Sequence, residues 1–390
     1  MTIDINRIRK NLEYIGNNFN SDNKGYNRLA FSKEETAAIA WLEETLISHG
    51  IKVRRDSVGN LFARIGPTDK AAYAFGSHLD TVKHGGLYDG ALGVVVGLEC
   101  LLELKDNNVN NNAYELVCFV GEEGNPLGGT FGSRLITGQI DIDSLDDELL
   151  ASQNMNKDML RQAHNTLENY LGFLELHIEQ GTVLENNDNK IGVVTSIAGI
   201  NRTHITVKGE QGHSGTIPMH SRKDALVMAS EIVKHINTEV KQYNDGTVAT
   251  VGQFEVKPNV VTIVPGEVEM TFEVRSGSEK VLTEFPREII DWINDSYDVD
   301  ITPGVLKDTN AMSSEIINEI EQAGKTLGIE TMRMLSGANH DTNTLAPFIN
   351  TGMIFVPSIK GISHNPLEKS DWEYIANASN IMLETLKSFN

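Results

Sequence analysis

Short, continuous apolar runs between helical patterns are the feature of this 390-residue chain that most restricts its fold. Residues 116–120 and 352–356 carry no polar interruption, which is typical of strands buried on both faces. Helical spacing of apolar residues is found over 5–19, 33–49 and 91–104. Strands that alternate with helices predict an α/β fold in which helices cover both faces of a mixed sheet.

Residues 200–308 follow a different pattern and predict a separate unit. They contain an alternating strand, a helix, further strands and a second helix, at 202–207, 222–238, 247–256, 260–264, 267–274 and 278–294. This order is typical of a small α+β sandwich with one open sheet face. Because the first pattern resumes near Ser313, we expect one domain of residues 1–199 and 309–390, interrupted by an inserted domain of residues 200–308.

Composition excludes several classes of protein. Lys and Arg number 33 against 54 Asp and Glu, so the net charge is −21 and no basic face for nucleic acid is evident. No apolar run approaches the roughly 20 residues of a membrane span, and the first residues do not resemble a signal peptide. Cys100 and Cys118 both lie in apolar stretches. We expect a cytoplasmic protein with buried, reduced cysteines and with neither nucleic acid nor membrane as a partner.

Histidines and carboxylates follow the predicted strands or lie in neighbouring turns. They are His78, Asp89, the pair Glu122 and Glu123, His177 and His364. Because ligands gather at the carboxyl ends of strands in open α/β sheets, these side chains can converge. Three histidines and two carboxylates suit zinc-like metals but exceed the needs of one catalytic zinc. The sequence therefore predicts two divalent metal ions that share a bridging carboxylate, for which Asp89 in a glycine-flanked turn is suited.

Neighbours of these residues have predicted roles of their own. Asp80 is two residues after His78, and residues at that spacing lie on the same face of a strand, so Asp80 can accept the second imidazole N–H. The adjacent Glu122 and Glu123 cannot readily ligate one metal from the same direction. One of them is therefore predicted to be a ligand and the other a general base that acts on water.

Six segments of the chain, taken in order, resemble one known family. They are GSHLDT at 76–81, GGLYDG at 85–90, GEEG at 121–124, ELHIEQG at 175–181, GHSGTIPM at 212–219 and GISHNP at 361–366. In order and spacing they are similar to the dinuclear zinc peptidase and aminoacylase family, in its N-carbamoyl-amino-acid hydrolase and allantoate amidohydrolase branch. The resemblance spans nearly the whole chain and implies a catalytic domain with an inserted lid and dimerisation domain.

The resemblance also assigns roles at the predicted metal centre. It implies that one ion is held by His78, Asp89 and His177, and the other by Asp89, Glu123 and His364. Glu122 would be the general base, and Asp80 would orient an imidazole. Zinc, manganese, cobalt and nickel all remain open as the metal, because preference depends on geometry and availability.

The same resemblance implies a substrate pocket. His213, on the inserted domain, matches a histidine expected to polarise the scissile carbonyl, and Arg275 matches a residue expected to grip a substrate carboxylate. Gln180, Asn259 and His340 match further substrate-binding positions. We therefore expect a small-molecule substrate with a carboxylate and a homodimer formed through the inserted domain. Whether the lid residues act on their own site or on a partner's stays open.

Plainer roles are open for all five of these residues, and Gln180, Asn259 and His340 could be ordinary polar residues near turns. Arg275 ends a predicted strand that carries Glu273 on the same face, and the two could form an ordinary ion pair. His213, which lies between Gly212 and Gly215, could be an ordinary turn residue.

Three positions depart from the pattern of the branch. GNPL at 124–127 replaces a common Gly-Ser-Arg-Phe, GAN at 337–339 replaces Gly-Ala-Gly, and Thr342 stands where a smaller residue is usual. The departures leave the predicted hydrolytic residues in place and put the identity of the substrate in question.

The sequence as a whole predicts a metal-dependent amidohydrolase of linear, non-peptide C–N bonds. The favoured substrate is an N-carbamoyl-L-amino acid, which would yield the amino acid, carbon dioxide and ammonia. Allantoate or ureidopropionate would use the same residues, and deacylation of an N-acyl amino acid or cleavage of a dipeptide is a further alternative. A non-catalytic homologue that binds a metabolite is disfavoured, because no predicted ligand is lost and Glu122 is present.

Overall fold

A computed structural model describes residues 2–22, 24–109, 112–163, 167–188 and 191–389 of the chain. They form two compact units. Unit 1 comprises residues 1–195, 312–334 and 338–390, and unit 2 comprises residues 196–311 and 335–337. The sequence also predicts a solvated loop at 107–112 and an ordinary histidine at His164. Residues 110 and 111 of that loop, and His164 itself, lie outside the described residues.

The described residues form fifteen strands and twelve α-helices. The strands are β1 (Lys52–Arg55), β2 (Leu61–Ile65), β3 (Ala72–His78), β4 (Ala113–Phe119), β5 (Tyr170–Ile178), β6 (Gly192–Ile197), β7 (Gly199–Lys208), β8 (Gly212–His213), β9 (Val248–Lys257), β10 (Ile263–Val264), β11 (Glu267–Ser276), β12 (Val299–Lys307), β13 (Asn310–Ala311), β14 (Met332–Ser336) and β15 (Asn350–Val356). The helices are α1 (Ile5–Asn18), α2 (Lys33–Ser48), α3 (Ala91–Asp106), α4 (Phe131–Ile136), α5 (Asp147–Ser152), α6 (Lys157–Ala163), α7 (Val183–Asn186), α8 (Ala225–Glu239), α9 (Glu279–Ser296), α10 (Ser314–Leu327), α11 (Asp341–Leu345) and α12 (Trp372–Ser388). Within the described part of the chain, none of these helices combines the length and the apolar content needed to cross a bilayer.

A mixed sheet of nine strands runs in the order β1-β2-β4-β3-β5-β15-β6-β13, with β14 paired to β6. β3 pairs in parallel with β4 and β5, and β5 pairs in parallel with β15. The pairs β1–β2, β2–β4 and β15–β6 are antiparallel. A parallel centre with antiparallel strands towards its edges confirms the predicted mixed sheet.

Helices pack on both faces of this sheet. α3 lies so close to one face that a Cβ on Gly97 would come within 2.6 Å of the Leu116 side chain. On the other face, Phe119 shares a buried apolar cluster with Ile136 of α4 and Leu345 of α11. Successive side chains of a strand point to opposite faces, so an unbroken apolar run such as that of β4 supplies both layers. The predicted α/β fold is confirmed.

Unit 2 contains a four-stranded antiparallel sheet in the order β12-β7-β11-β9. Its apolar core joins Ile232 of α8 and Phe285 of α9 to Val207 of β7 and Phe272 of β11. These strands alternate buried and more exposed residues, as expected when helices cover one face only. The predicted α+β sandwich is confirmed.

Two features of unit 2 were not predicted correctly. β12, which completes the sheet, was missed because Pro303 and Gly304 interrupt its pattern. Its pairing with β7 shifts register between Pro303 and Leu306, and proline is tolerated because β12 is an edge strand. The predicted strand at 260–264 is wrong over its first three residues, since only Ile263–Val264 forms β10, which pairs with β8.

The parallel strands bring their carboxyl ends to one edge of the sheet. The four central parallel strands end at His78, Phe119, Ile178 and Val356. The segments that follow them carry Asp80, Glu122, Glu123, Gln180 and His364. This edge is where open α/β sheets place their ligands, and it therefore gathers the predicted metal-binding residues.

Candidate metal centre

His78, Asp89 and His177 form the first of two ligand clusters. Their possible ligand atoms all lie within 4.8 Å of one another, and all three side chains are buried. His177 Nε2 is 3.1 Å from Asp89 Oδ1, and His78 Nε2 is 3.7 Å from the same oxygen. His78 is the last residue of β3, and His177 is the next-to-last residue of β5, so the sheet fixes both imidazoles.

Asp89, Glu123 and His364 form the second cluster. His364 Nε2 lies 3.4 Å from Asp89 Oδ2 and 3.4 Å from Glu123 Oε1. Asp89 is therefore shared, because its Oδ1 faces the imidazoles of the first cluster and its Oδ2 faces His364. One carboxylate between two ligand clusters can bridge a pair of metal ions.

The hydrogen bonds of these residues fit metal ligands. His177 Nδ1 donates to the Ile178 carbonyl at 2.9 Å, and His78 Nδ1 lies 3.1 Å from the Asp80 carbonyl. These contacts place the ring proton on Nδ1 and leave the Nε2 lone pair of each ring facing the cluster. Glu123 Oε1 is buried and has no hydrogen-bond partner among the described residues. Imidazole lone pairs beside a buried, unbonded carboxylate oxygen are suited to a divalent cation.

A tight turn places Asp89 between the clusters. Gly90 has a φ of 62°, and a Cβ there would lie 2.3 Å from the His78 ring, so glycine lets the imidazole pack against the turn. The Gly90 N–H also donates to His177 Nε2 at 3.2 Å. The glycine-flanked turn that the sequence predicts for Asp89 thus has two specific contacts with the first cluster.

Sequence reasoning missed two residues that hold Asp89, Glu368 and Ser363. Glu368 Oε1 accepts the Asp89 N–H at 3.1 Å, and Ser363 Oγ lies 3.0 Å from Asp89 Oδ2. Gln180, which was expected to bind substrate, donates from Nε2 to the same Oδ2 at 2.7 Å.

Asp80 connects the first cluster to the glutamate pair. Its Oδ1 lies 3.3 Å from His78 Nδ1 and accepts the Glu122 N–H at 3.1 Å, while its Oδ2 accepts the Glu123 N–H at 2.9 Å. The strand argument for Asp80 was wrong, because β3 ends at His78 and Asp80 lies beyond it. Its carboxylate nonetheless faces the imidazole and also holds two main-chain groups that the sequence did not predict.

Glu122 and Glu123 have different surroundings. Glu123 belongs to the second cluster, whereas Glu122 lies outside every three-residue cluster of the described residues, with its Oε2 3.7 Å from His78 Nε2. Burial raises the pKa of Glu122 well above its usual range, although His78 opposes the shift. Burial and the nearby Asp89 raise the pKa of Glu123 to about 7. The structure thus separates the pair: Glu123 is one of the possible ligands, and Glu122 lies beside them.

The electrostatics of the centre favour a cation. Burial raises the pKa of Asp89, but His177 and His364 outweigh it and hold that pKa well below its usual range. The hydrogen bond with Asp89 raises the pKa of His364 to about 9. His340 meets the His177 ring edge-on at 4.5 Å, and burial together with His177 lowers its pKa well below the usual range. Asp89 therefore stays ionised and His340 stays neutral at neutral pH.

Glu175 adjoins the first cluster and forms a third group of possible ligands with His177 and His340. Its carboxylate accepts the Ser77 hydroxyl at 2.7 Å, the Thr342 hydroxyl at 2.5 Å and the Thr342 N–H at 3.1 Å. These bonds tie β3, β5 and α11 together beside the centre. They also give the departure at Thr342 a role, since a smaller residue without a hydroxyl could not donate this bond.

The departure at 124–127 shapes the turn that carries the glutamates. Asn125 Nδ2 donates to the carbonyls of Gly121 and Glu123 at 3.0 and 2.9 Å, and its Oδ1 accepts the Leu127 N–H at 2.8 Å. Asn125 thus stabilises the main chain around Glu122. At the other departure, Asn339 Oδ1 accepts an N–H from the Asn343 side chain at 2.6 Å.

Three of the predicted substrate-contacting residues, His213, Asn259 and Arg275, belong to unit 2. His213 is exposed, and its Nδ1 accepts a main-chain N–H at 3.0 Å, which places the ring proton on Nε2. Asn259 is exposed and has a left-handed φ of 59°. Arg275 Nε donates to Glu273 Oε1 at 2.8 Å, so the ion pair considered as its plainer role is present.

Comparison with known proteins gives concordant matches. The model of peptidase family M20/M25/M40 matches residues 74–388. An uncharacterized hydrolase of Haemophilus influenzae is 37% identical over 394 residues, which are 96% of this chain and 96% of that protein. An N-carbamoyl-L-amino-acid amidohydrolase of Paenarthrobacter aurescens is 35% identical, with 98% of each chain covered. A crystal structure of a hydantoinase/carbamoylase family amidase from Burkholderia multivorans superposes with a TM-score of 0.90 at 28% identity and covers 99% of this chain and 98% of that one.

Proposed function

The chain belongs to peptidase family M20/M25/M40, in its hydantoinase/carbamoylase branch, and on this basis we propose that its substrate is an N-carbamoyl-L-amino acid. It is a hydrolase that acts on linear amide C–N bonds. In the proposed reaction, water cleaves the carbamoyl group and releases the L-amino acid, carbon dioxide and ammonia. The name of the Paenarthrobacter relative supports this substrate, while the Haemophilus relative is named for no substrate.

The observation that carries the proposal is the double cluster around Asp89. One ion would be held by His78, Asp89 and His177, and the other by Asp89, Glu123 and His364. When bound, a pair of divalent ions polarises a carbonyl and lowers the pKa of water. Zinc, manganese, cobalt and nickel all suit this donor set of nitrogen and oxygen atoms.

The roles of the protein side chains follow from their surroundings. Glu122 takes the proton of the attacking water and delivers it to the leaving nitrogen, because it lies beside the ligand clusters without belonging to either of them. His213 donates from Nε2 to the oxyanion that develops on the carbonyl, since its Nδ1 is already an acceptor. Arg275 exchanges part of its contact with Glu273 for the substrate carboxylate. Gln180, Asn259 and His340 complete the pocket.

The remaining proposals concern the organisation of the protein. Residues 1–199 and 309–390 are the catalytic domain, and residues 200–308 are the lid, through which two chains form a homodimer. The free, buried Cys100 and Cys118 support a reducing, cytoplasmic location.

Hydrolysis of a substrate panel tests the proposed activity. Protein loaded with each candidate metal is incubated with an N-carbamoyl-L-amino acid, allantoate, 3-ureidopropionate, an N-acetyl-amino acid and a dipeptide, and ammonia and free amine are measured. We expect equimolar ammonia and amino acid from the carbamoyl substrate. The Glu122→Gln variant, prepared in parallel, shows whether any activity comes from a contaminant.

The other outcomes of the panel each overturn part of the proposal. Faster ammonia release from allantoate or 3-ureidopropionate would reassign the substrate within the same site. Amine released only from the acyl substrate or the dipeptide would make the protein a deacylase or dipeptidase. Binding of the carbamoyl compound without any turnover would make it a non-catalytic binding protein.

A further inference from the structure

Helix α2 begins with a side chain that does more than cap the helix. Ser32 and Glu35 have the spacing of a capping box, and Ser32 Oγ does accept the Glu35 N–H at 3.2 Å. In a capping box, the glutamate would return to the Ser32 N–H, but that group donates to the Leu29 carbonyl at 3.0 Å. The Glu35 carboxylate instead accepts the N–H of Phe31 at 2.5 Å and the N–H of Gly121 at 2.9 Å.

Gly121 is the residue immediately before the glutamate pair. Its N–H donates to Glu35, and the N–H groups of Glu122 and Glu123 donate to Asp80. Three successive main-chain N–H groups are therefore bound by two buried carboxylates. Glu35 is 2% exposed and Asp80 is fully buried. Burial excludes the water that would otherwise compete for the same donors.

Packing also joins the start of α2 to the turn that carries the glutamate pair. Gly121 has a φ of 63°, and a Cβ at this position would lie 2.8 Å from the Phe31 ring, so the ring rests directly on the glycine. Phe31 itself has a φ of 62°, a left-handed conformation that is rare for a bulky residue and requires support from its surroundings. Glu35 provides that support by accepting the Phe31 N–H, so one carboxylate fixes both partners of the contact.

We propose that Glu35 is a positioning residue for the proposed general base. It fixes Gly121 and Phe31, and it thereby sets the direction of the main chain that follows β4 and carries Glu122. This inference rests on the proposed function, in which Glu122 moves the proton. Glu35 does not touch the ligand clusters directly, so its loss should leave the metal ligands in place and shift the base. A misplaced base lowers kcat more than it changes KM.

The test compares Glu35→Gln with a matched variant, Glu99→Gln. Glu99 is also buried and also ties an N-terminal helix to the core, by accepting the N–H of Asp4 at 2.9 Å and pairing with Arg7 rather than with the glutamate turn. Three quantities are measured for both variants: metal content, kcat and KM on the substrate found in the panel, and hydrogen exchange of the segment 117–127 in metal-free protein.

We expect Glu35→Gln to lower kcat about tenfold to a hundredfold, with KM within about twofold and metal content unchanged. Exchange of the 121–123 amides should accelerate in Glu35→Gln only, and Glu99→Gln should keep the wild-type kcat. Glu35→Asp, whose carboxylate is one methylene shorter, should show the same kcat deficit, and it replaces Glu35→Gln if that variant does not fold.

Three results would overturn the inference. They are a wild-type kcat in folded Glu35→Gln, an equal kcat loss in Glu99→Gln, and a kcat loss that only follows lost metal. If the wild-type protein hydrolyses no member of the panel, the proposed function fails while the exchange measurement still decides the role of Glu35. Unchanged exchange of the 121–123 amides would then refute that role by itself.

Discussion

Exchanging either glutamate of the pair for its amide should separate metal binding from proton transfer. Glu123→Gln removes a charge and a ligand from the second cluster, where Glu123 Oε1 lies 3.4 Å from His364 Nε2 and has no hydrogen bond among the described residues. Glu122→Gln leaves both clusters complete, because Glu122 belongs to neither. We therefore expect lost metal in the first variant and lost turnover with retained metal in the second.

The distances set the expected magnitudes. A unit charge pair about 4 Å apart is worth about 4 kcal/mol at an effective dielectric constant of about 20. Because the ion carries two charges, removing the Glu123 charge should cost about twice that energy and weaken the ion on the His364 side by more than about a thousandfold. A general base contributes about 10²–10⁴-fold to the rate, so Glu122→Gln should lower kcat by that factor at full metal occupancy.

Both variants are dialysed against buffers of fixed free metal concentration. Metal per chain is then measured by atomic emission, and turnover is measured by ammonia release. We expect about two ions per chain in Glu122→Gln and about one in Glu123→Gln. Lost metal in Glu122→Gln, together with retained metal and turnover in Glu123→Gln, would show that the two assignments are reversed.

Three further predictions concern other groups. Arg275→Ala should lower kcat/KM about a hundredfold or more for carboxylate substrates and far less for an uncharged analogue, whereas an equal loss on both would leave Arg275 as the ion-pair partner of Glu273 alone. Burial and Glu175 raise the pKa of Asp341 from 3.8 to about 8, so the folded chain holds a proton that the unfolded chain releases in this range. The stability that this group contributes is complete below about pH 4 and is lost as the pH rises through 8. When the free energy of unfolding is measured by urea titration at several pH values, Asp341→Asn should reduce its fall with pH by up to about 1.4 kcal/mol per pH unit. An unchanged pH dependence would contradict the shift. Stripping the metal with a chelator should lower the unfolding temperature, and readdition at 100 times the dissociation constant should restore about 2.7 kcal/mol, whereas an unchanged melting curve would argue against the buried site.

Residues next to a strong local signal could be predicted from the sequence. His78 and the glutamate pair each end or follow an apolar strand, and parallel strands must bring their carboxyl ends to one edge. The order of these elements was therefore enough to predict that the side chains converge. The sandwich of unit 2 followed from the same kind of pattern, except at β12, where Pro303 hides an edge strand.

The contacts that orient these residues could not be predicted, since they join segments far apart in the chain. Glu368 reaches Asp89 across 279 positions, and Thr342 reaches Glu175 across 167. Neither contact leaves a local pattern in the sequence. Glu35 shows a different difficulty, because its spacing from a serine has an ordinary explanation in helix capping that hides its bond to Gly121.

The shared carboxylate of Asp89 has a consequence for how the proposed metals load. Its two oxygens face different clusters, and Gln180 and Ser363 hold the oxygen on the His364 side. An ion bound on one side orients the Asp89 carboxylate for the second ion, and its positive charge also repels that second ion. The two binding events are therefore not independent. Thermodynamic reciprocity then requires that each ion change the affinity of the other by the same factor. A metal titration should therefore deviate from two independent sites, and replacing the Gln180 amide should alter that deviation.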